Sequence, residues 1–243
     1  MNEKIEKLKE MILKSNNIVF FGGAGVSTES GIPDFRSKDG LYNEKYKYNP
    51  EVILSHDFWL ENPEEFYKFY KDKLNCLKAE PNIVHYTLAK LEQMGQLRCI
   101  ITQNIDGLHQ KAGSKNIAEL HGSMYRNTCI KCKKKFEAEF VFNSNGIPRC
   151  ECGAVIKPDV VLYDEQLSLE TTKKAVQAIE ECDLLIVGGT SLAVYPASSY
   201  VRCFKGQNLV IINKEETSYD KEATLVINES LGTVFSEIMK LYE

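Results

Sequence analysis

Short apolar runs alternate with amphipathic stretches along most of the chain. The most apolar run, Ile18-Val19-Phe20-Phe21, predicts a strand buried on both faces. Before it, Ile5, Leu8, Ile12 and Leu13 fall on one face of a predicted amphipathic helix. The alternation continues with predicted strands at 99–101, 117–120, 183–187, 209–212 and 225–227, and helices at about 62–74, 81–95, 168–181, 196–204 and 231–242. This order predicts an α/β fold built on a doubly wound, parallel, Rossmann-like sheet.

Two stretches interrupt the alternation. Residues 37–62 are rich in Tyr, Asn and Lys and predict a long irregular loop beside a site. Residues 124–157 hold four cysteines and few apolar runs, which indicates a small inserted zinc-ribbon or helical domain. We therefore expect three parts: a Rossmann-like domain from 1–38, 82–123 and 158–243, a loop and helical insert at 39–81, and a zinc-binding module at 124–157.

Composition narrows the class of protein. Hydrophobic residues make up 43% and charged residues 26% of the 243 residues, which are ordinary globular values. The net charge of -4 and the single short basic run, Lys131–Lys135, give no reason to expect nucleic-acid binding. No apolar run approaches the roughly 20 residues that cross a bilayer, and the N-terminus is too polar for a signal peptide. We expect a cytoplasmic protein with reduced thiols.

The first strand is followed by Gly22, Gly23 and Gly25, and then by 26–30, which could open a helix. A strand, a glycine turn and a helix start suit a diphosphate, because backbone N–H groups can approach it closely. The third glycine of the dehydrogenase fingerprint is missing at Thr28, and no acidic residue caps a second strand about 20 positions later, where a dehydrogenase binds ribose. The turn is thus of the dinucleotide type without being that of a dehydrogenase.

Polar side chains follow two further predicted strands. Gln103, Asn104 and Asp106 come after 99–101, and His121 comes after 117–120. Carboxyl ends of parallel strands form the ligand edge of such a sheet. There, His121 would act as a general base, since imidazole titrates near neutral pH.

Less specific interpretations of these polar residues stay open. The three residues after 99–101 could merely cap the next helix, and Asp34 and Arg36 could form a surface ion pair. The histidines His56, His85 and His109 are interpreted as ordinary core or surface residues.

The four cysteines of the inserted segment have metal-ligand spacing. Cys129 and Cys132 are separated by two residues, and Cys150 and Cys152 follow after a gap of 17. Four thiolates predict one tetrahedral zinc with no open position, and therefore a structural ion. Free thiols are the alternative, because the second pair is spaced by one residue. The remaining cysteines, Cys76, Cys99, Cys182 and Cys203, are interpreted as buried small hydrophobic residues.

Taken together, these motifs resemble the sirtuins, the NAD-dependent protein deacylases, and in particular the compact bacterial type. The matching stretches occur in family order and cover nearly the whole chain: 23–27, 31–36, 102–109, 121–122, the four cysteines, 189–192, 194–196 and 212–213. One such motif is weak, but several in order are highly specific.

The resemblance implies roles for single residues. His121 would be the catalytic base, and Asn104 would bind a water or ribose hydroxyl. The other NAD-binding residues would be Ala24, Thr28, Phe35, Arg36, Gln103, Ile105, Asp106, Thr190, Ser191, Asn213 and Ile227, with His121 at the ribose. Val161, Val194 and Tyr195 would bind the substrate peptide between two strands.

The implied activity is NAD-dependent removal of acetyl or similar neutral acyl groups from protein lysine. The products would be nicotinamide and O-acetyl-ADP-ribose, the partners acetylated proteins, and the enzyme a monomer. A protein ADP-ribosyltransferase on the same NAD site is the alternative. A non-catalytic NAD sensor or zinc-ribbon interaction module is a third possibility.

Two departures from the family pattern bear on the substrate. Relatives that remove succinyl groups carry Tyr and then Arg three residues later, whereas here Tyr67 is followed by Tyr70. An acidic acyl chain would lack its cation, so neutral acyl groups are expected. Asp164 stands where relatives usually have glycine, which would matter only if that position had positive φ.

Overall fold

The computed structural model describes residues 2–35, 40 and 46–242. Its centre is strand β1, Ile18–Gly22, whose five residues are all buried. Five more strands complete a parallel sheet in the order β3-β2-β1-β7-β8-β9. Their bounds are β2 Leu97–Thr102, β3 Ile117–Glu119, β7 Leu184–Gly188, β8 Asn208–Ile212 and β9 Leu225–Ile227. The predicted doubly wound sheet is confirmed, with its change of direction at β1 and β7.

Alternate residues of β1 face opposite sides of the sheet, and each side has its own helices. Phe20 packs into the core under α1, α5 and α9, while Val19 and Phe21 pack toward α8 and a 3-10 segment. The bounds are α1 Asn2–Lys14, α5 Ile83–Gln93, α8 Leu169–Glu181, α9 Leu231–Met239 and, for the 3-10 segment, Ala197–Cys203. Cover on both faces explains why the strands are continuous apolar runs.

A smaller antiparallel sheet, in the order β5-β4-β6, lies in the cysteine-bearing part. It packs in a third core with the helices of the insert. The bounds in this part are α2 Pro50–Ile53, α3 His56–Glu61, α4 Pro63–Lys73, β4 Gly122–Cys129, β5 Lys135–Phe136, α7 Ala138–Asn143 and β6 Ile156–Val160. A short helix outside this core, α6 Leu108–Lys111, follows β2. Among the described residues, no helix is long and apolar enough to cross a membrane.

Several local predictions differ from the structure. The helix expected after Gly25 is two 3-10 turns, at 24–26 and 28–30. The helix expected at 196–204 is also 3-10. The described end of the predicted loop contains α2 and α3, which begin where Asn49 and Ser55 accept hydrogen bonds from backbone N–H groups. These elements are too short to produce a clear apolar period, so the sequence pattern missed them.

Candidate active site

The candidate site lies where β1, β2 and β7 end. The turn after β1 packs directly against the turn after β7: Gly25 N–H donates to Gly189 O at 2.8 Å. A Cβ at Gly25 would lie 2.7 Å from Gly189 Cα, which is closer than real Cβ contacts. The glycine therefore permits two loops to touch by their backbones, a role that the diphosphate interpretation alone did not include.

A hydrogen-bonded group joins the first turn to the loop after β2. Ser27 Oγ donates to Asp106 Oδ2 at 2.6 Å and accepts from Asn104 Nδ2 at 3.1 Å. Asp106 also accepts from the N–H of Leu108, the first residue of α6, at 2.9 Å. Burial raises the pKa of Asp106, and the bonds from Ser27 and Leu108 oppose that rise. Asp106 thus caps α6 and also lies in the site, so the two interpretations of this group are compatible.

Ser27 is the functional candidate that sequence reasoning missed. It is buried and contacts both Asp106 and Asn104. Its signal was present, because it ends the first motif of the resemblance, but a serine in a turn has many ordinary explanations.

Gln103 connects the site to the loop after β7. Its Oε1 accepts from Thr190 Oγ1 at 3.0 Å, while its buried Nε2 has no hydrogen-bond partner among the described residues. A buried amide donor without a partner is costly in a native fold unless a ligand or water satisfies it. Gln103 therefore fits the hydroxyl of a bound sugar.

His121 is held in one tautomer. Its Nδ1 lies 2.9 Å from Gln103 O, and because a carbonyl only accepts, Nδ1 must carry the hydrogen. The lone pair is then on Nε2. Burial lowers the pKa of His121, and the bond to Gln103 partly offsets this. The ring is neutral near pH 7 and can take up a proton, as a general base must.

The residues assigned to adenosine and diphosphate lie along the same edge. Thr190 is buried and Ser191 is exposed, both just after β7. Asn213 N–H donates to Ile227 O at 3.2 Å, which joins the ends of β8 and β9.

The remaining cofactor assignments lie around the first turn. Thr28 Oγ1 donates to Gly25 O at 3.1 Å within the turn that also holds Ala24. Arg36 lies outside the described residues, while Phe35 and Ile105 pack at the border of the third core.

The segment assigned to the peptide begins beside His121. Val161 N–H donates to His121 O at 2.9 Å, just beyond β6. Asp164 has φ of 70°, so the residue replacing the expected glycine does occupy the left-handed region. On the other assigned side, Val194 O accepts from Ser198 N–H at 2.9 Å, and Tyr195 is exposed.

The four cysteines converge at the end of the small sheet. Their sulfurs all lie within 4.8 Å of one another. The distances from Cys129 Sγ to Cys152 Sγ and from Cys132 Sγ to Cys150 Sγ are both 3.5 Å. Ligands about 2.3 Å from a tetrahedral zinc would be roughly 3.8 Å apart, so the cluster fits one structural zinc ion.

Comparison with known proteins adds independent findings. The model of the Sir2 family matches residues 23–196. The chain is 55% identical to the NAD-dependent protein deacetylase of Clostridium perfringens over 98% of this chain and 100% of that one. It is 54% identical to the protein of the same name from Clostridium tetani, over 97% of each chain.

Solved structures agree with these matches. A Sir2 enzyme structure superposes with a TM-score of 0.90 at 42% identity, over 99% of this chain and 98% of the other. A Sir2 structure with a p53 peptide and NAD+ has a TM-score of 0.86 at 38% identity, over 98% of both chains. Another Sir2 structure at 37% identity, with a TM-score of 0.86 over 98% of both chains, holds 2'-O-acetyl-ADP-ribose and deacetylated p53 peptide.

Proposed function

The chain belongs to the Sir2 family, and on that basis we propose that its site removes acetyl groups from protein lysine in an NAD-dependent reaction. The observation that carries the proposal is the paired arrangement of His121 and Gln103. His121 presents a basic Nε2, and Gln103 presents a buried amide donor without a partner among the described residues. Both suit a ribose whose hydroxyl must be bound and deprotonated.

NAD, when bound, supplies the ribose carbon that releases nicotinamide and the hydroxyl that receives the acetyl group. Gln103 donates to a ribose oxygen, and His121 takes the hydroxyl proton through Nε2. Asp106, held by Ser27 and Leu108, accepts from the nicotinamide amide, while Asn104 orients a water or hydroxyl. A positioned base of this kind contributes about 100- to 10,000-fold to the rate.

The remaining assignments belong to the same proposal. The first turn and the ends of β7, β8 and β9 bind diphosphate and adenosine through Ala24, Thr28, Thr190, Ser191, Asn213 and Ile227. Arg36 contacts a phosphate, and Phe35 and Ile105 lie on the nicotinamide side. Val161, Val194 and Tyr195 pair with the peptide. The three-part division of the chain, a monomeric state, a cytoplasmic location and the lack of nucleic-acid binding stay predictions.

A product assay tests the activity. NAD and an acetyl-lysine peptide should yield nicotinamide, deacetylated peptide and O-acetyl-ADP-ribose in equal amounts by mass spectrometry. His121→Ala should form no O-acetyl-ADP-ribose, while His85→Gln, which removes an imidazole outside the site, should retain activity. A peptide that gains the mass of ADP-ribose instead would favour the transferase alternative.

We further propose that the acyl group is neutral. Tyr70 replaces the arginine of desuccinylases, is fully buried, and its hydroxyl has no hydrogen-bond partner among the described residues. A carboxylate beside Tyr70 would lack the cation that an arginine supplies at this position, and an unpaired buried charge is costly. Turnover of acetyl and succinyl versions of one peptide tests this, and faster desuccinylation contradicts it.

A further inference from the structure

The segment after β6 is held by a carboxylate that the assigned site does not use. Glu165 lies 2.8 Å from His56 Nδ1 and 3.1 Å from Lys157 Nζ. It also accepts from the N–H of Leu162 at 2.9 Å, three residues earlier. The Glu165 and Lys157 side chains are only about a fifth exposed, at 20% and 19%. Partly buried ion pairs that are joined by several hydrogen bonds contribute more to stability than exposed surface ion pairs.

Backbone bonds connect this segment to the insert. Tyr163 N–H donates to Leu54 O at 2.9 Å, and His56 N–H donates to Tyr163 O at 3.0 Å. The chain then turns at Asp164, and Glu165 N–H closes the turn onto Leu162 O at 3.1 Å. A non-glycine residue at φ of 70° costs free energy, so contacts around the turn are needed to hold it.

The His56 and Lys157 side chains that bind Glu165 also lie beside Trp59. The ring centres of His56 and Trp59 are 5.7 Å apart, and Lys157 Nζ lies 5.9 Å from the Trp59 ring. Trp59 Nε1 donates to Tyr67 OH at 3.1 Å, which in turn donates to Ile156 O at 2.7 Å. The contacts thus join α3, α4 and β6 around one carboxylate.

We propose that Glu165 is a positioning residue for the substrate peptide, acting through the backbone of 161–165. This rests on the proposed function, in which that segment pairs with the peptide. Main-chain pairing of an extended peptide requires acceptors and donors at fixed spacing. Glu165, by bonding Leu162 N–H, His56 and Lys157, sets that spacing on both sides of the turn. None of these three partners belongs to the NAD-binding turn, and none is His121.

The test compares two substrates and two carboxylate variants. Glu165→Gln keeps the shape and removes the charge. It should raise KM for an acetyl-lysine peptide about tenfold, with kcat and KM for NAD within about twofold. Free Nε-acetyl-lysine has no flanking backbone, so its kcat/KM should change less than about twofold.

Asp159→Asn is the matched control. Asp159 is on β6, and its carboxylate also accepts from two side chains, Thr128 Oγ1 at 2.6 Å and Lys135 Nζ at 3.0 Å. These partners are not bonded to 161–165, so KM for the peptide should stay within about twofold. His56→Gln removes one partner while Glu165 remains, and should raise peptide KM in the same direction by a smaller factor.

The outcomes separate this inference from the proposed function. A wild-type chain without deacetylation of the peptide would sink the function itself. An active wild type whose Glu165→Gln variant has an unchanged peptide KM would overturn the inference alone. Equal losses on peptide and free acetyl-lysine would also overturn it, since they indicate general damage to the fold. If Glu165→Gln melts below the assay temperature, His56→Gln decides between the same two results.

Discussion

Acid should destabilise this protein through a buried pair of histidines. His85 on α5 and His109 on α6 have ring centres 4.8 Å apart, and both are buried. His85 Nδ1 accepts from Asn82 N–H in the capping box of α5. Both nitrogens of His109, and Nε2 of His85, lack a hydrogen-bond partner among the described residues. Asn82 Oδ1 lies 3.1 Å from His85 Nδ1, but burial outweighs this contact in setting the pKa of the ring.

Burial lowers the pKa of His85 from 6.5 to about 4. Burial, and then the proximity of His85, hold the pKa of His109 well below its usual value. The unfolded chain takes up these protons as pH falls below about 6.5, while the native state takes up the one on His85 only near pH 4. The stability that depends on the neutral His85 ring is therefore complete above about pH 6.5 and is lost as pH falls to about 4. Each pKa unit is worth about 1.4 kcal/mol, so His85 alone accounts for about 3 kcal/mol.

The variant His85→Gln isolates this contribution. Glutamine at the third helical position can also accept from the Asn82 N–H, so the capping box is retained without a titrating group. The free energy of unfolding is measured in urea at about pH 7.5 and about pH 4. Between these two pH values, the variant should lose about 3 kcal/mol less of this free energy than the wild type. Carboxylate titration is common to both chains and cancels in the difference. Equal losses in the two chains would refute the argument from burial.

Three further expectations concern the zinc cluster and two left-handed positions. Removing zinc with a chelator should unfold the small sheet and lower the melting temperature, because such sites supply roughly 10 kcal/mol of folding free energy. An unchanged melting temperature after measured zinc release would contradict a structural ion. Gly122→Ala should lower the free energy of unfolding in urea by more than about 2 kcal/mol and abolish deacetylation, because Gly122 has φ of 77° and the new Cβ would lie 2.0 Å from Asp159 O. An active variant of unchanged stability would argue against this. Asp164→Gly should raise the free energy of unfolding by up to about 1 kcal/mol in the same assay, because glycine adopts φ of 70° without steric cost. A decrease of that size would contradict the prediction.

Much of the fold follows from local patterns. The buried runs of β1, β2, β7 and β8 are apolar because helices cover both faces of the sheet, and this is visible in four or five consecutive residues. Cysteine spacing and the glycine turn are equally local, and the order of the motifs was sufficient to suggest the family. The sequence by itself therefore determined the sheet, the zinc cluster and the neighbourhood of His121.

Only the tertiary structure decided which side chains meet. Ser27 and Asp106 are 79 positions apart, and His56 and Glu165 are 109 apart, so no periodicity within one element indicates either bond. The left-handed conformation of Asp164 and the short helices α2 and α3 also depend on contacts made elsewhere. The physical reason is that local patterns report burial and backbone preference, whereas hydrogen-bond partners are set by how separate elements pack.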